Sequence, residues 1–247
     1  MAASQPLLRL NVWSGPRNVS TALMYSFAQR PDTRVVDEPL YGHYLRVSGA
    51  AHPHAAEVMR QMDCDGERVV RETILGDDAD RPVVFFKQMA HHLVELDRGF
   101  LAETANVLLT RHPRDVLPTL AKQLPEPVLR DTGYAAQVEL LAELRALGQP
   151  GLVLDAAELL RDPESVLRQL CAGLGLDWEP AMLEWEAGPK PYDGCWAPDW
   201  YENVHRSTGF APYRPKEEPF PERLAPLLAE CLPLYERLYA VAIKAEA

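Results

Sequence analysis

Short apolar runs alternate along this chain with stretches whose apolar residues recur every three to four positions. Five runs predict strands: Leu7–Trp13, Thr33–Asp37, Pro82–Gln88, Asn106–Thr110 and Gly151–Asp155. They are short and continuous in apolar character, the pattern of strands covered on both faces. Helical spacing follows at Thr21–Gln29, which Pro31 bounds, and at about 55–62, 114–123, 133–147, 163–175 and Arg223–Ala242. In 163–175, Val166, Leu167, Leu170, Cys171 and Leu174 share one face, with Asp162 as cap and Pro163 in the first turn. In the last helix Leu227, Leu228, Cys231, Leu234, Tyr235 and Leu238 point inward. Strands separated by helices predict an α/β fold of three layers, a central parallel sheet of about five strands flanked by helices, with right-handed crossovers.

Two segments break the alternation, about 43–81 and 188–221. The second is too rich in proline for regular elements, yet it carries Trp196, Trp200 and Tyr201. Both are expected to be ordered excursions from one domain spanning residues 1–247.

Charge narrows the partners. The chain has 25 Lys+Arg against 36 Asp+Glu, a net charge of −11, which disfavours nonspecific binding to nucleic acid or an anionic membrane. A local cluster of donors can still hold a small anion. The amino-terminal MAASQPLLRLNVW lacks a basic region followed by an apolar run, and no stretch approaches the length of a membrane helix. Cys64, Cys171, Cys195 and Cys231 form no CxxC pair and read as reduced. These features predict a cytoplasmic protein.

Two segments carry candidate chemistry. After the first strand, Ser14, Gly15, Pro16, Arg17, Asn18, Val19, Ser20 and Thr21 form a breaker-rich turn that opens a helix. Unpaired N–H groups and the helix dipole make such a turn an anion cradle, to which Ser20 and Thr21 add hydroxyls and Arg17 adds charge. The alternative is a plain capped turn with Ser20 as N-cap. A Walker loop is not present, because no Gly-Lys pair follows Gly15 and the first lysine is Lys87. At the end of the fourth strand stands Arg111, with Thr119 eight residues on. Strand carboxyl ends are where open α/β sheets bind ligands, and a guanidinium suits phosphate oxygens. Arg114, beside Asp115, reads as a solvated helix start.

The strings WSGPRNVSTAL, LLTRHPRDVLPTL and LLRDPESVLRQLCAGLGL together resemble the sulfotransferase superfamily, which uses 3′-phosphoadenosine 5′-phosphosulfate. The resemblance covers most of the chain. It is closest to a bacterial subgroup, also found beside aminotransferase-like domains in plants, that shares WSGPRNVSTA and DEPLY. It implies a P-loop-type fold in which Pro16–Thr21 is the 5′-phosphosulfate loop, with Asn18 and Val19 where the family has Ser-Gly. It implies that Arg111 and Thr119 hold the 3′-phosphate. Val204–Phe210 falls where the family has a loop over the nucleotide, so Arg206 and Gly209 are expected at the cofactor. Glu38, just after the second strand, matches a general base. Lys87 is expected on the sulfonate, and Arg17 in the role of the loop lysine. His91 or His92 is the alternative base.

The resemblance thus implies sulfuryl transfer from that donor, without a metal, to a hydroxyl or amine of a small-molecule, glycan or lipid acceptor; a homodimer stays open. The alternatives are a non-catalytic adenosine-bisphosphate-binding module and a kinase-like phosphotransferase. A zinc site from His52, His54 and Cys64 is a weaker reading.

Overall fold

A computed structural model describes residues 7–77, 79–216 and 218–246. Its centre is a sheet of six parallel strands: β1 (Leu8–Ser14), β2 (Thr33–Asp37), β3 (Val83–Met89), β4 (Ala105–Thr110), β5 (Leu152–Asp155) and β6 (Ala242–Ile243). The order across the sheet is β2-β3-β1-β4-β5-β6. Each of the five apolar runs forms a strand. The sixth strand was not expected: the last helix stops at Tyr239, and Ala242–Ile243 then pairs with β5. Two residues are too few to carry a periodic signal.

Seven longer helices surround the sheet: α1 (Ser20–Phe27), α2 (Tyr41–Ser48), α3 (Ala55–Gln61), α4 (Pro113–Leu120), α5 (Tyr134–Ala146), α6 (Pro163–Leu174) and α7 (Ala225–Tyr239). Leu23, Met24 and Phe27 of α1 and Val166, Leu167 and Leu170 of α6 pack on one face of the sheet. Leu140 and Leu144 of α5 and Leu228, Cys231 and Leu238 of α7 pack on the other. Every residue of β3 is buried, as sandwiching between layers requires. Helix α6 begins as its sequence predicts: the Asp162 carboxylate accepts from the Ser165 N–H at 3.0 Å, and Pro163 follows the cap.

Helix α1 starts differently. Val19 holds its N-cap position and no side chain caps it. The Asn18 side chain instead accepts from the Val19 N–H at 2.8 Å and donates to the Leu109 carbonyl at 2.9 Å, tying the turn to β4. Ser20 is therefore not the cap.

The two excursions meet. Tyr44, Leu45 and Val58 from the first, with Tyr41 just before it, pack against Trp196, Ala197 and Tyr201 from the second. Despite its prolines, the second contains single helical turns at Ala197–Trp200 and Glu202–His205. Among the described residues, no helix is long and apolar enough to cross a membrane.

Beneath β1 a buried amide ties the sheet together. Asn106 accepts from the Trp13 indole at 2.9 Å and donates to the Leu101 and Thr104 carbonyls, both at 2.9 Å. Asn106→Ala leaves the Trp13 indole N–H unpaired in the core and takes one of two donors from the Leu101 and Thr104 carbonyls, which Gln149 also serves at 2.6 and 3.1 Å. We expect a loss of about 1–3 kcal/mol, read from urea unfolding.

Candidate active site

Parallel register brings the carboxyl ends of the strands to one edge. Asp37 pairs with Lys87, Ser14 with Met89, and Thr110 with Asp155. A crevice of about 420 Å³ opens there, and its walls carry Arg17, Glu38, Lys87, His91, Arg111 and Thr119. The two arginine segments singled out in the sequence thus face one cavity.

One end of the cavity gathers positive charge. Helix α1 points its N-terminus into it, with Ser20 and Thr21 in the lining. Gly15 permits this turn because a Cβ there would sit 2.7 Å from the Thr132 carbonyl oxygen. Arg17 adopts a left-handed backbone, φ 55°. Its guanidinium stands 5.9 Å from the centre of the Trp200 ring. Burial and the neighbouring Arg111 push the Arg17 pKa below its usual value. Arg111 donates to the Arg17 carbonyl at 3.1 Å, and its nearest carboxylate, Asp115, is 3.9 Å away. Helix α5 stiffens this end: Gln137 bridges the Trp13 and Leu109 carbonyls, and the Tyr134 hydroxyl donates to the Arg111 carbonyl at 2.6 Å.

The middle of the cavity holds a buried charge cluster. The Lys87 ammonium donates to Asp37 at 3.0 Å, to the Tyr201 hydroxyl at 2.8 Å, and to Glu38. Burial alone would lower the Lys87 pKa, but Asp37 and Glu38 hold it well above the usual lysine value. One ammonium cannot neutralise two carboxylates. Burial, opposed by Lys87 and assisted by Asp37, leaves Glu38 above the ordinary carboxylate range. Asp37 is also fixed by the Gly194 N–H at 3.0 Å and the Tyr201 hydroxyl at 2.7 Å. A carboxylate with raised proton affinity, facing a cavity, has the properties of a general base.

Other residues expected at the site sit elsewhere or act otherwise. Ser14 is buried under the turn, its hydroxyl on the Gln88 carbonyl at 3.3 Å, outside the cavity lining. Asn18 and Val19 line the cavity, but the Asn18 amide is spent on the loop. The Thr119 hydroxyl donates to the Val116 carbonyl at 2.7 Å. Gly209 reaches the lining, whereas Arg206 does not: it is exposed and pairs with Glu202 at 2.6 Å. The cation that approaches Arg111 from the late segment is Lys216, whose ammonium donates to the Asp115 carbonyl at 2.7 Å. Burial and Arg111 lower its pKa. Lys216 lines a second cleft that shares Thr119 with the first cavity. His52, His54 and Cys64 do not converge. His52 bonds Tyr41, His54 faces Asp199, and Cys64 bonds the Met59 carbonyl. Among the described residues no cluster could hold a metal ion.

Sequence reasoning missed Asp37, Lys216 and the polar role of Tyr201. Asp37 had a signal, since it ends a strand beside Glu38. Tyr201 and Lys216 lie in the Pro-rich segment, where no periodicity reports which side chains turn inward.

The fold is a parallel α/β sheet with an arginine-lined crevice at its strand ends, the fold of an α/β protein. The family described as Sulfotransferase domain matches residues 8–242, and the chain belongs to it. A solved sulfotransferase from Alicyclobacillus acidocaldarius shares the fold, with a TM-score of 0.54 at 15% identity over 96% of each chain. Two curated Arabidopsis thaliana proteins are similar in sequence: branched-chain-amino-acid aminotransferase-like proteins 2 and 1. They are 41% identical over 230 and 229 residues, covering 93% of this chain. The chain spans 41% of the length of each of these relatives.

The buried cluster gives a stability test. Lys87→Met strands two carboxylates without a counter-charge, and we expect it to cost about 3–5 kcal/mol at pH 7. A carboxylate whose folded pKa is raised loses stability as pH rises through the interval between its unfolded and folded values. The penalty should therefore shrink as pH falls toward about 5, as measured by denaturant unfolding across pH.

Proposed function

We propose that this chain transfers a sulfuryl group from 3′-phosphoadenosine 5′-phosphosulfate to a hydroxyl acceptor. The observation that carries the reading is the pair Arg17 and Arg111. Both face one cavity, and among the described residues no carboxylate pairs with Arg17. Two guanidinia beside a helix N-terminus fit a ligand with separated anionic groups. Arg17, Ser20, Thr21 and the N–H groups opening α1 would hold the 5′-phosphosulfate. Arg111 and Lys216, with Thr119 beside them, would hold the 3′-phosphate, and Lys216 takes the role expected of Arg206. When bound, the nucleotide supplies an activated sulfuryl group.

The chain's own residues then supply orientation and a proton acceptor. Glu38 takes the proton from the acceptor hydroxyl. Lys87, fixed by Asp37 and Tyr201, orients that carboxylate and adds positive charge where negative charge develops. His91, pushed down to about 4 chiefly by burial, stays neutral and is the alternative base. The four cysteines are free, which suits the reducing cytoplasm that forms part of this reading.

Calorimetry with adenosine 3′,5′-bisphosphate tests the binding half. Arg111→Ala should weaken binding at least about tenfold, since charge-assisted bonds are worth roughly 1.5–3 kcal/mol. Lys216→Ala should weaken it more than Arg206→Ala. Glu38→Gln should bind the nucleotide normally while turnover falls about 10²–10⁴-fold. Unchanged turnover would move the base to His91. Tight binding by the wild type without transfer to any acceptor would leave a binding module.

A further inference from the structure

Among the described residues, one carboxylate of the Pro-rich segment is buried with no lysine or arginine paired to it. The Asp193 side chain is 5% exposed. Both of its oxygens lie 2.8 Å from the Tyr25 hydroxyl, which donates to them. It also accepts from the Lys190 N–H at 2.8 Å and from His205 Nε2 at 3.0 Å. The Lys190 ammonium turns elsewhere, to the Glu186 carbonyl at 2.7 Å. Tyr25 is fully buried in α1, edge-on to Trp185 and Tyr192. Burial first, and then the bond to Asp193, raise its pKa, so it remains a donor. Burying a carboxylate is costly unless donors replace its hydration. Here three donors do so, and the strongest tie fastens the segment to α1.

The residues that follow reach the charge cluster. The Gly194 N–H donates to Asp37 at 3.0 Å, and the Trp196 indole donates to the Tyr201 hydroxyl at 3.1 Å. A Cβ at Gly194 would collide with the Trp196 ring folded across it. Lys190–Trp196 is therefore one turn, rooted on α1 at Asp193 and bearing on Asp37 and Tyr201 at its far end. Neither Asp193 nor Gly194 lines the cavity, so the turn acts on the site through Asp37. That carboxylate accepts from Lys87, Tyr201 and Gly194, whereas the Glu38 carboxylate accepts from Lys87 alone among the described residues. Donors favour the charged form of the acid they bond. A proton shared by the pair thus rests on the acid with fewer donors, Glu38, in line with its raised pKa.

Resting on the sulfotransfer reading above, we propose that Asp193 is a positioning residue that makes Glu38, and not Asp37, the proton acceptor: by rooting the turn on α1 it holds the Gly194 N–H on Asp37. In the transfer step the acceptor oxygen bonds to the donor's sulfur. The bond from sulfur to the nucleotide phosphate oxygen breaks, its electron pair leaves with adenosine 3′,5′-bisphosphate, and the acceptor's proton goes to Glu38. Without the root the turn loosens, Asp37 loses a donor, and the two carboxylates compete for that proton.

Carboxyl ¹³C NMR across pH reads this in the free protein, with the Glu38 signal identified by its loss in Glu38→Gln. Asp193→Ala should lower the pH at which Glu38 titrates by about one pH unit, the worth of one N–H bond to a carboxylate. Tyr25→Phe removes only the root on α1 and should lower it less, in the same direction. Lys87, Asp37, Tyr41 and Tyr201, the titratable groups about Glu38, stay in both variants. Asn106→Ala, which destabilises the core away from the turn, should leave the Glu38 titration in place. Calorimetry with adenosine 3′,5′-bisphosphate should give both turn variants an affinity within about twofold of the wild type, since Arg17 and Arg111 are untouched. Should Asp193→Ala fail to fold, Tyr25→Phe decides alone. A Glu38 titration that is unmoved or raised overturns the inference, as does an equal drop in Asn106→Ala. Nucleotide binding with an unmoved Glu38 overturns this inference alone. A Glu38 titration that drops as stated in a chain that binds no nucleotide supports the positioning role and overturns the sulfotransfer reading instead.

Discussion

Burying a lysine ammonium at the end of a parallel strand is the constraint around which this site is organised. Register sets Lys87 beside Asp37, and an ammonium moved out of water costs several kcal/mol unless partners replace its hydration. Asp37, Glu38 and the Tyr201 hydroxyl supply those partners. Tyr201 belongs to the Pro-rich segment, so satisfying the lysine requires that segment to close over the strand ends. The Gly194 N–H on Asp37 and the Trp196 indole on the Tyr201 hydroxyl, at 3.1 Å, fasten the same closure. The cover of the cavity and the charge at its centre are therefore one structure. Burial first, and then the second carboxylate Asp37, give Glu38 its raised proton affinity against the pull of Lys87.

Both residues closest to the proposed chemistry carry backbone strain. Arg17 and Glu38 have φ values of 55° and 40°, in the left-handed region that residues with a Cβ avoid. Such conformations cost of order 1–3 kcal/mol each and persist only where their surroundings fix them. For Arg17 the Arg111 guanidinium on its carbonyl, and Asn18 anchored to Leu109, do the fixing. For Glu38, its N–H donates to the Lys87 carbonyl at 2.8 Å, and its own carbonyl accepts from Tyr41 at 2.9 Å. Glycine at either place would relieve the strain and remove the functional side chain.

The sequence made legible what local pattern controls. Continuous apolar runs marked the five long strands, since strands between two helix layers have no polar face. Arg17 and Arg111 could be found because strand ends are where parallel sheets bind ligands. What depended on pairing could not be read. Asp37 gains its meaning from register with a lysine 50 positions away. Arg206 looked available in one dimension, but a helical turn pairs it with Glu202 and leaves it in solvent. Lys216 gave no signal, because proline-rich chain has no periodicity to say which side chains fold back. Tyr201 read as one more aromatic in a core, and its ring is indeed buried; only its hydroxyl betrays another task.

The overall charge of −11 and the two cavity arginines on which the proposed reading rests operate at different ranges. Exposed carboxylates act through water and are screened beyond about 8–10 Å at physiological ionic strength. Arg17 is partly buried behind Trp200, and Arg111 sits in the loop's own carbonyl frame, so their charges act in a poorer dielectric and at contact distance. Burial first, and then the neighbouring Arg111, lower the Arg17 pKa, and on the proposed reading a bound dianion would offset that repulsion. On the proposed reading, the acidic surface would disfavour large polyanions, which must approach over a wide area, and would leave a small nucleotide free to enter. Net charge would thereby select against the wrong class of anion, while the two arginines of the proposed site would select for the right one.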